Sequence, residues 1–345
     1  MTVYFWIPDV GPAAGGVRAV YRFTDALNAA GLDAAVLHQA PGFRATWFPN
    51  ETRVESAATT PVCGNDVLVV SELDAARLLA KAPGVTKVVL NQQQYWTFVQ
   101  GPVDYLHPDV AVVIAVSEDG VRYLSYAFPG LAPARVRYAV DTDLFHPRTS
   151  ERERAIAFLD SKGRGPRAQV TEILSKRRAL RGWEWRALRG LTHGQMAEML
   201  GRVAILASFS EFEGFQMLLT EAMASGCAVV GFHAGGGREY LTDDVAWPVQ
   251  ASEIVTFAER LEEVALGWDE RREAVEVKTS RAVDFIRERY TLSGEAADIV
   301  AAIRPAVDRA VSLKRTLEHN VAEVPRRRDF LQRRARAVGR ALYRG

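Results

Sequence analysis

Two cysteines, Cys63 and Cys227, are all that the 345 residues contain, and they sit in unlike contexts. No disulfide framework can be built from them, and the pattern fits a reducing compartment. Long apolar runs are missing as well. No stretch approaches the roughly 18 apolar residues that a membrane span needs. The opening Met-Thr-Val-Tyr-Phe-Trp-Ile-Pro lacks a basic segment, and its apolar run is too short for a signal peptide. A cytoplasmic location is therefore expected. An excess of one charge is absent too: 43 Lys and Arg face 42 Asp and Glu, a net charge of +1. That balance argues against a nucleic-acid partner. Among the six histidines, His38, His193 and His233 show no ligand spacing with cysteines or acids. Neither a metal nor a cofactor is expected.

What is present is an ordinary globular mixture, 48% hydrophobic and 25% charged. The length is comfortable for two domains. In the first half, short apolar runs alternate with amphipathic ones. Val3–Ile7, Ala34–His38, Val67–Val70, Lys87–Leu90 and Val110–Val116 read as buried strands. Helical patterns lie at Val17–Ala30, Asp74–Lys81 and Glu118–Tyr126. Such alternation indicates a parallel sheet covered on both faces. Val140–Arg154, with Pro147 and four consecutive charges, reads as a linker.

A second alternation follows. Strands are expected at Ala155–Leu159, Trp183–Leu188, Val203–Ala207 and Ala228–Phe232, with helices at Pro166–Leu180, Gly194–Leu200 and Gln216–Ala224. Thr192 and Gln195 form a capping-box pattern. Beyond it the chain is helical by pattern: Ser252–Leu266 with Ser252 as N-cap, then Asp269–Arg289 and Gly294–His319. The expected architecture is α/β, with two Rossmann-like domains facing across a cleft and C-terminal helices. The boundaries are 1–147, 148–290 and 291–345, the last segment packing partly on the first domain.

The chemistry concentrates at Ser208–Gly231. A strand ends in a loop carrying Glu213, Gly214, Phe215 and Gln216; a helix then carries Glu221, and Gly226 precedes the next strand. Ligands of open α/β sheets bind outside the carboxyl ends of the strands, and helix N-termini there suit phosphates. A carboxylate at Glu213 can accept from sugar hydroxyls, and one at Glu221 can hold a ribose diol.

This stretch resembles the E-x7-E segment of retaining GT-B glycosyltransferases of the family-4-like, group 1 type. Glu213 and Glu221 occupy its two glutamates, with Gly214-Phe215, Glu221-Ala222-Met223-Ala224 and Gly226 in register. Gly235-Gly236-Gly237-Arg238-Glu239 falls where that family has a glycine-rich loop closed by a glutamate, and Tyr138–Pro147 resembles its interdomain segment. The resemblance touches both halves and is dense from Val203 to Leu241. It implies a GT-B fold, a nucleoside-diphosphate sugar as donor substrate, and retention of anomeric configuration. It puts Glu213 on the donor sugar and Glu221 on the ribose, with Gly214, Phe215, Gln216, Gly236, Gly237 and Glu239 also at the donor. A saccharide or lipid-linked acceptor is implied as the second substrate, in polysaccharide or glycolipid assembly.

A diphosphate held without metal needs cations. Lys162 and Arg167 follow the first strand of the second half, with Arg164 as a competitor. The family has Arg before Lys; here the order is reversed. Gly15 and Gly16 close a loop between strand and helix, where glycine lets backbone approach a ligand. The family points this loop at the donor. The spacing is not that of a dinucleotide fingerprint. Arg18 and Arg22, one turn apart, either meet an anionic acceptor or are ordinary exposed charges. Many family members carry a histidine where this chain has Asn91-Gln92-Gln93-Gln94. Amides bind hydroxyls but do not titrate near neutrality, so Asn91 and Gln92 are expected on the acceptor side without acid–base work.

Asp141-Thr142-Asp143 fits a metal-chelating D-x-D pattern, but its place before Leu-Phe-His-Pro favours a turn. The segment Arg326–Gly345 carries eight arginines against one aspartate, interleaved with apolar residues. It can lie on an anionic membrane surface or be a solvated helix. The expected activity is a metal-independent hexosyl transfer by front-side displacement, with Glu213, Lys162 and Arg167 at the reacting centre. Two alternatives stand beside it: a nucleotide-sugar epimerase of the same fold, and a catalytically silent nucleotide-sugar-binding partner of an assembly complex.

Overall fold

The computed structural model describes residues 1–11, 13–148, 151–177, 179–313, 318–319 and 321. Arg326–Gly345 lies outside the described residues.

The elements run β1 Val3–Trp6, α1 Gly15–Ala29, β2 Ala34–His38, β3 Val54–Ser56, β4 Val62–Cys63, β5 Val67–Ser71, α2 Ala75–Lys81, β6 Thr86–Asn91, β7 Val110–Ala115, α3 Glu118–Ala127 and β8 Ala134–Arg135. After the crossing come β9 Glu153–Leu159, α4 Arg164–Ser175, β10 Glu184–Leu188, α5 His193–Arg202, β11 Val203–Ser208, α6 Met217–Ala224, β12 Ala228–Phe232 and β13 Trp247–Val249. Then follow α7 Ile254–Glu270, α8 Arg272–Arg289, α9 Leu292–Leu313 and β14 Glu318–His319.

The first domain is built on a seven-stranded parallel sheet of order β3-β2-β1-β5-β6-β7-β8. The central strands β1, β2, β5 and β6 are buried on both faces, which is why they read as continuous apolar runs. Successive side chains point to opposite faces. Val3 and Phe5 pack with Phe23 and Leu27 of α1 and Ile299 and Ile303 of α9. Tyr4 and Trp6 pack on the other face with Ala75 and Leu78 of α2 and Leu124 of α3.

The second domain has a five-stranded parallel sheet of order β10-β9-β11-β12-β13. Ile156, Ile205 and Val230 face α4 and α7 through Val170, Leu174, Phe257 and Leu261. Ala157, Leu206 and Val229 face α5, α6 and α8 through Leu200, Met223 and Ile286. In each sheet the chain reverses its winding between two adjacent strands. These are β1 and β5 in the first sheet, and β9 and β11 in the second. Binding crevices of α/β sheets open at such places.

The chain crosses between the domains twice, and the crossings are hydrogen-bonded: Val140 N–H donates to Tyr290 O at 2.9 Å. Helix α9 then returns to the first domain, against α1, β6 and β7. Its buried Glu295 accepts from Arg22 Nε and Nη2 at 2.9 and 2.6 Å and from Ala139 N at 2.6 Å. Arg22 is therefore a half-buried joint rather than an exposed charge.

Two local expectations fail, and four short strands carry no readable signal. Ser252 does not cap α7: it has φ 71°, and its hydroxyl donates to Glu211 Oε1 at 3.0 Å. The helix expected over Gly294–His319 is described over Leu292–Leu313, and Glu318–His319 is a strand that pairs antiparallel with Cys63 and Val62. Pairing with an open strand there outcompetes local helix propensity. The short strands β3, β4, β8 and β13 carry too few residues for a period to show. By contrast the capping box of α5 forms in both directions, Gln195 N–H to Thr192 Oγ1 at 3.3 Å and Thr192 N–H to Gln195 Oε1 at 2.9 Å.

Candidate functional site

The loops after β9 and β11 stand side by side where the second sheet reverses. The first carries Asp160 to Gly163 and the second Phe209 to Gln216. Gly163 has φ 61°, and a Cβ there would lie 2.2 Å from the Phe209 carbonyl oxygen. Glycine therefore lets the two loops touch. The contact brings Lys162 Nζ onto the Glu213 carboxylate, which also accepts from Ser210 Oγ at 2.6 Å. Glu213 is further tied by its backbone: its N–H donates to Ala234 O at 2.8 Å, and its carbonyl accepts from Gly236 N at 3.1 Å. Arg167, one turn into α4, stacks over Phe158 at 4.4 Å and pairs with Asp160 at 3.1 Å. Its Nη1 is buried with no hydrogen-bond partner among the described residues. Arg164 is exposed at the start of α4.

Glu221 lies in α6, 6% exposed. Its Oε1 accepts from Arg18 Nη2 and stands 3.6 Å from His193 Nε2. Burial alone pushes this carboxyl up; Arg18 and His193 outweigh that and hold it below the ordinary carboxylate value. Arg18 is thus neither an exposed charge nor open to an acceptor: it is 6% exposed and reaches the donor-side helix from the other domain.

Glycines pack tightly at the seam between the domains, across it at Gly15 and Gly214 and on either side of it at Gly16 and Gly236. A Cβ on Gly15 would lie 2.7 Å from Met217 Sδ, and one on Gly16 2.6 Å from Gln92 Oε1. A Cβ on Gly214 would lie 2.0 Å from the Gln92 carbonyl oxygen, and one on Gly236 1.8 Å from the Gly214 carbonyl oxygen. Gln92 itself donates from Nε2 to Gly16 O at 3.0 Å and to Tyr138 OH at 2.7 Å. It is a cross-brace whose amide nitrogen is engaged within the first domain. Asn91 is 2% exposed and donates to Thr97 and Tyr105, so it cannot present itself to an acceptor.

Three residues expected on the donor have other engagements. Phe215 is wedged between Tyr138, Tyr240 and Tyr290, with ring centroids 5.5, 4.9 and 5.7 Å away. The Gln216 side chain accepts from Ser208 Oγ at 2.7 Å and donates to Phe232 O at 3.2 Å, both within its own domain. Glu239 turns to the first domain: it accepts from Glu118 N at 2.7 Å, at the start of α3, and from Arg135 Nη2 at 2.7 Å. Burial nonetheless pushes its carboxyl up. Gly237 keeps ordinary contact distances. Asp141 behaves as a turn residue, its Oδ1 accepting from Asp143 N and Leu144 N at 3.2 Å each.

Two residues near the site carry no sequence signal of their role. His193 is the first residue of α5, and its approach to Glu221 follows from where the capping box starts the helix. Glu72 follows β5, 5% exposed, and accepts from Gln92 N at 3.1 Å. Burial pushes its carboxyl up to about 7. Among the described residues no group of three or more His, Cys, Asp or Glu is placed to hold a metal. No described helix is long and apolar enough to cross a membrane.

Two parallel, doubly covered sheets meeting at their carboxyl edges define a GT-B protein, and solved structures of that architecture superpose on it. HepE from Anabaena, solved with UDP and glucose, is 12% identical, with 88% of this chain and 99% of that one covered at a TM-score of 0.65. TarM from S. aureus, solved with fondaparinux, α-GlcNAc-glycerol and UDP, is 7% identical, with 87% and 99% covered at 0.66. Sucrose-phosphate synthase from Thermosynechococcus elongatus is 12% identical, with 88% and 98% covered at 0.66. At such identities the likeness establishes the fold. The model of the family glycosyl transferases group 1 matches residues 185–280, so this GT-B chain carries a group 1 segment in its second domain. An alpha-1,6-glucosyltransferase of Actinobacillus pleuropneumoniae serotype 7 (strain AP76) is 34% identical over 77 residues, 21% of this chain and 23% of that protein. The match thus spans less than a quarter of that relative's length.

Proposed function

We propose that this protein is a retaining, metal-independent glycosyltransferase that moves a hexosyl group from a nucleoside-diphosphate sugar to a saccharide or lipid-linked acceptor. The observation that carries the reading is the Lys162–Glu213 pair at the reversal point of the second sheet. An ammonium and a carboxylate held together there match the two ends of a nucleotide sugar. The lysine suits the diphosphate and the glutamate suits the sugar hydroxyls. The group 1 segment includes both Glu213 and Glu221. HepE and TarM are each solved with UDP, which supports a nucleoside diphosphate as the leaving group.

In this mechanism the acceptor oxygen attacks the anomeric carbon on the face from which the diphosphate departs. The anomeric C–O bond breaks, and the diphosphate leaves with the electron pair and takes the acceptor proton. Lys162 and Arg167 stabilise its growing negative charge. Glu213 orients the sugar. Closure of the two domains excludes water. The role belongs to polysaccharide or glycolipid assembly, with Arg326–Gly345 resting on the inner face of the cell membrane.

The test is nucleoside diphosphate release from a panel of UDP-, GDP-, ADP- and dTDP-sugars, with and without EDTA. Release from no donor overturns the transferase reading. Loss of activity in EDTA overturns metal independence. Interconversion of the donor sugar without an acceptor would assign an epimerase instead. Liposome flotation with and without Arg326–Gly345 tests the membrane contact.

A further inference from the structure

Gly15 of α1 touches Met217 of α6, and one turn further along each helix Arg18 meets Glu221. The first turns of two helices from opposite domains therefore abut. The single ion pair they make falls on the carboxylate read above as the ribose ligand. Arg18 hydrogen-bonds to Glu221 alone among the described residues. All of this contact is on Oε1, where His193 Nε2 also approaches; no described residue bonds to Oε2. A buried ion pair adds little net stability compared with an apolar pair of the same volume. Packing therefore does not explain why a cation is placed here.

We propose that Arg18 is a positioning residue: from the first domain it fixes Glu221 through Oε1 so that Oε2 is presented to the ribose diol. This inference rests on the nucleotide-sugar reading of the site. Its consequence is that ribose recognition is completed only when the domains are closed. An open enzyme would hold the nucleotide by its phosphates and base, and closure would add the diol contact.

Calorimetric titration with nucleoside diphosphates and their 2′-deoxy counterparts tests this, using whichever base the full-length wild type binds. The wild type should prefer the ribonucleotide by about tenfold, the worth of one hydrogen bond to a charged group. Glu221→Gln should reduce the preference to within about twofold. Arg18→Gln should do the same while changing 2′-deoxynucleotide affinity by less than about threefold. Arg18→Lys, which keeps the charge, should restore at least about threefold preference. Arg18→Met serves if the Gln variant does not melt cooperatively. If Arg18→Gln keeps the wild-type preference while Glu221→Gln loses it, the positioning role is wrong and the ribose role stands. If both keep it, the ribose role itself falls. Failure of every nucleoside diphosphate to bind the wild type overturns the underlying reading.

Discussion

Lys162 and Glu213, 51 residues apart in sequence, join their charges between two neighbouring loops at the carboxyl edge of one sheet. Each is the other's counter-ion, so the site is electrically balanced before any donor arrives. A donor must part them, giving its phosphates to the lysine and its hydroxyls to the glutamate. Lys162→Met should therefore lower kcat by about 100-fold or more, the scale seen when one donor to a developing oxyanion is removed. The lysine is half exposed, and its loss should change stability by less than about 1 kcal/mol. Steady-state rates and a thermal melt on the same preparation check both halves.

Gly163 should resist replacement both by its backbone angle and by its close neighbour. Alanine would adopt φ 61° against its preference and place a methyl 2.2 Å from a carbonyl oxygen, which cannot move aside as a flexible side chain can. The expected loss is about 2 kcal/mol or more, read from urea unfolding.

Glu72 predicts how stability depends on pH. Its carboxyl ionises near 4.5 in an unfolded chain and near 7 when buried here. Between those values the folded state holds a proton that the unfolded state has lost, so stability falls as pH rises from about 4.5 to 7 and then levels off. Glu72→Gln, which can still accept from Gln92 N–H, removes that decline. At pH 8 the variant should be more stable than wild type by about 1–3 kcal/mol, and at pH 4.5 nearly equal to it. Denaturant midpoints at the two pH values provide the measurement.

Arg22→Met leaves Glu295 buried with only Ala139 N–H as partner. An uncompensated buried carboxylate costs about 3 kcal/mol. Part of that is recovered as pH falls and Glu295 takes up a proton, since burial already pushes its carboxyl up. Unfolding at pH 8 and pH 5 should show the larger deficit at pH 8.

How far these features could be read from the chain depended on whether they are local. Val67–Ser71 and Ala228–Phe232 are buried on both faces, and a continuous apolar run announces that. The Thr192–Gln195 box is complete within four residues. Glu213 and Lys162 each sit one loop beyond a recognisable strand, so their place at one sheet edge could be read from the chain. Arg18 and Glu221 are 203 residues apart and in different domains, so no period or spacing links them. Glu239 reads as a loop glutamate at the donor, yet Arg135 and the start of α3 claim it from the other domain. Asn91 ends a strand whose residues are buried throughout, and that burial is what removes it from the cleft. Sequence patterns record which face of an element is buried, not which partner domain buries it.

The two chain crossings at Val140 and Tyr290 run hydrogen-bonded beside one another, and α9 carries the second back onto the first domain. Two adjacent tethers act like the paired pins of a door. They leave one rotation free and resist twisting and sliding. Any opening that admits a donor must swing about that line, so the contacts nearest to it, such as the Tyr290 hydroxyl on Glu239 at 3.2 Å, move least. The interlocking glycine contacts then re-seat in the same register each time the molecule shuts.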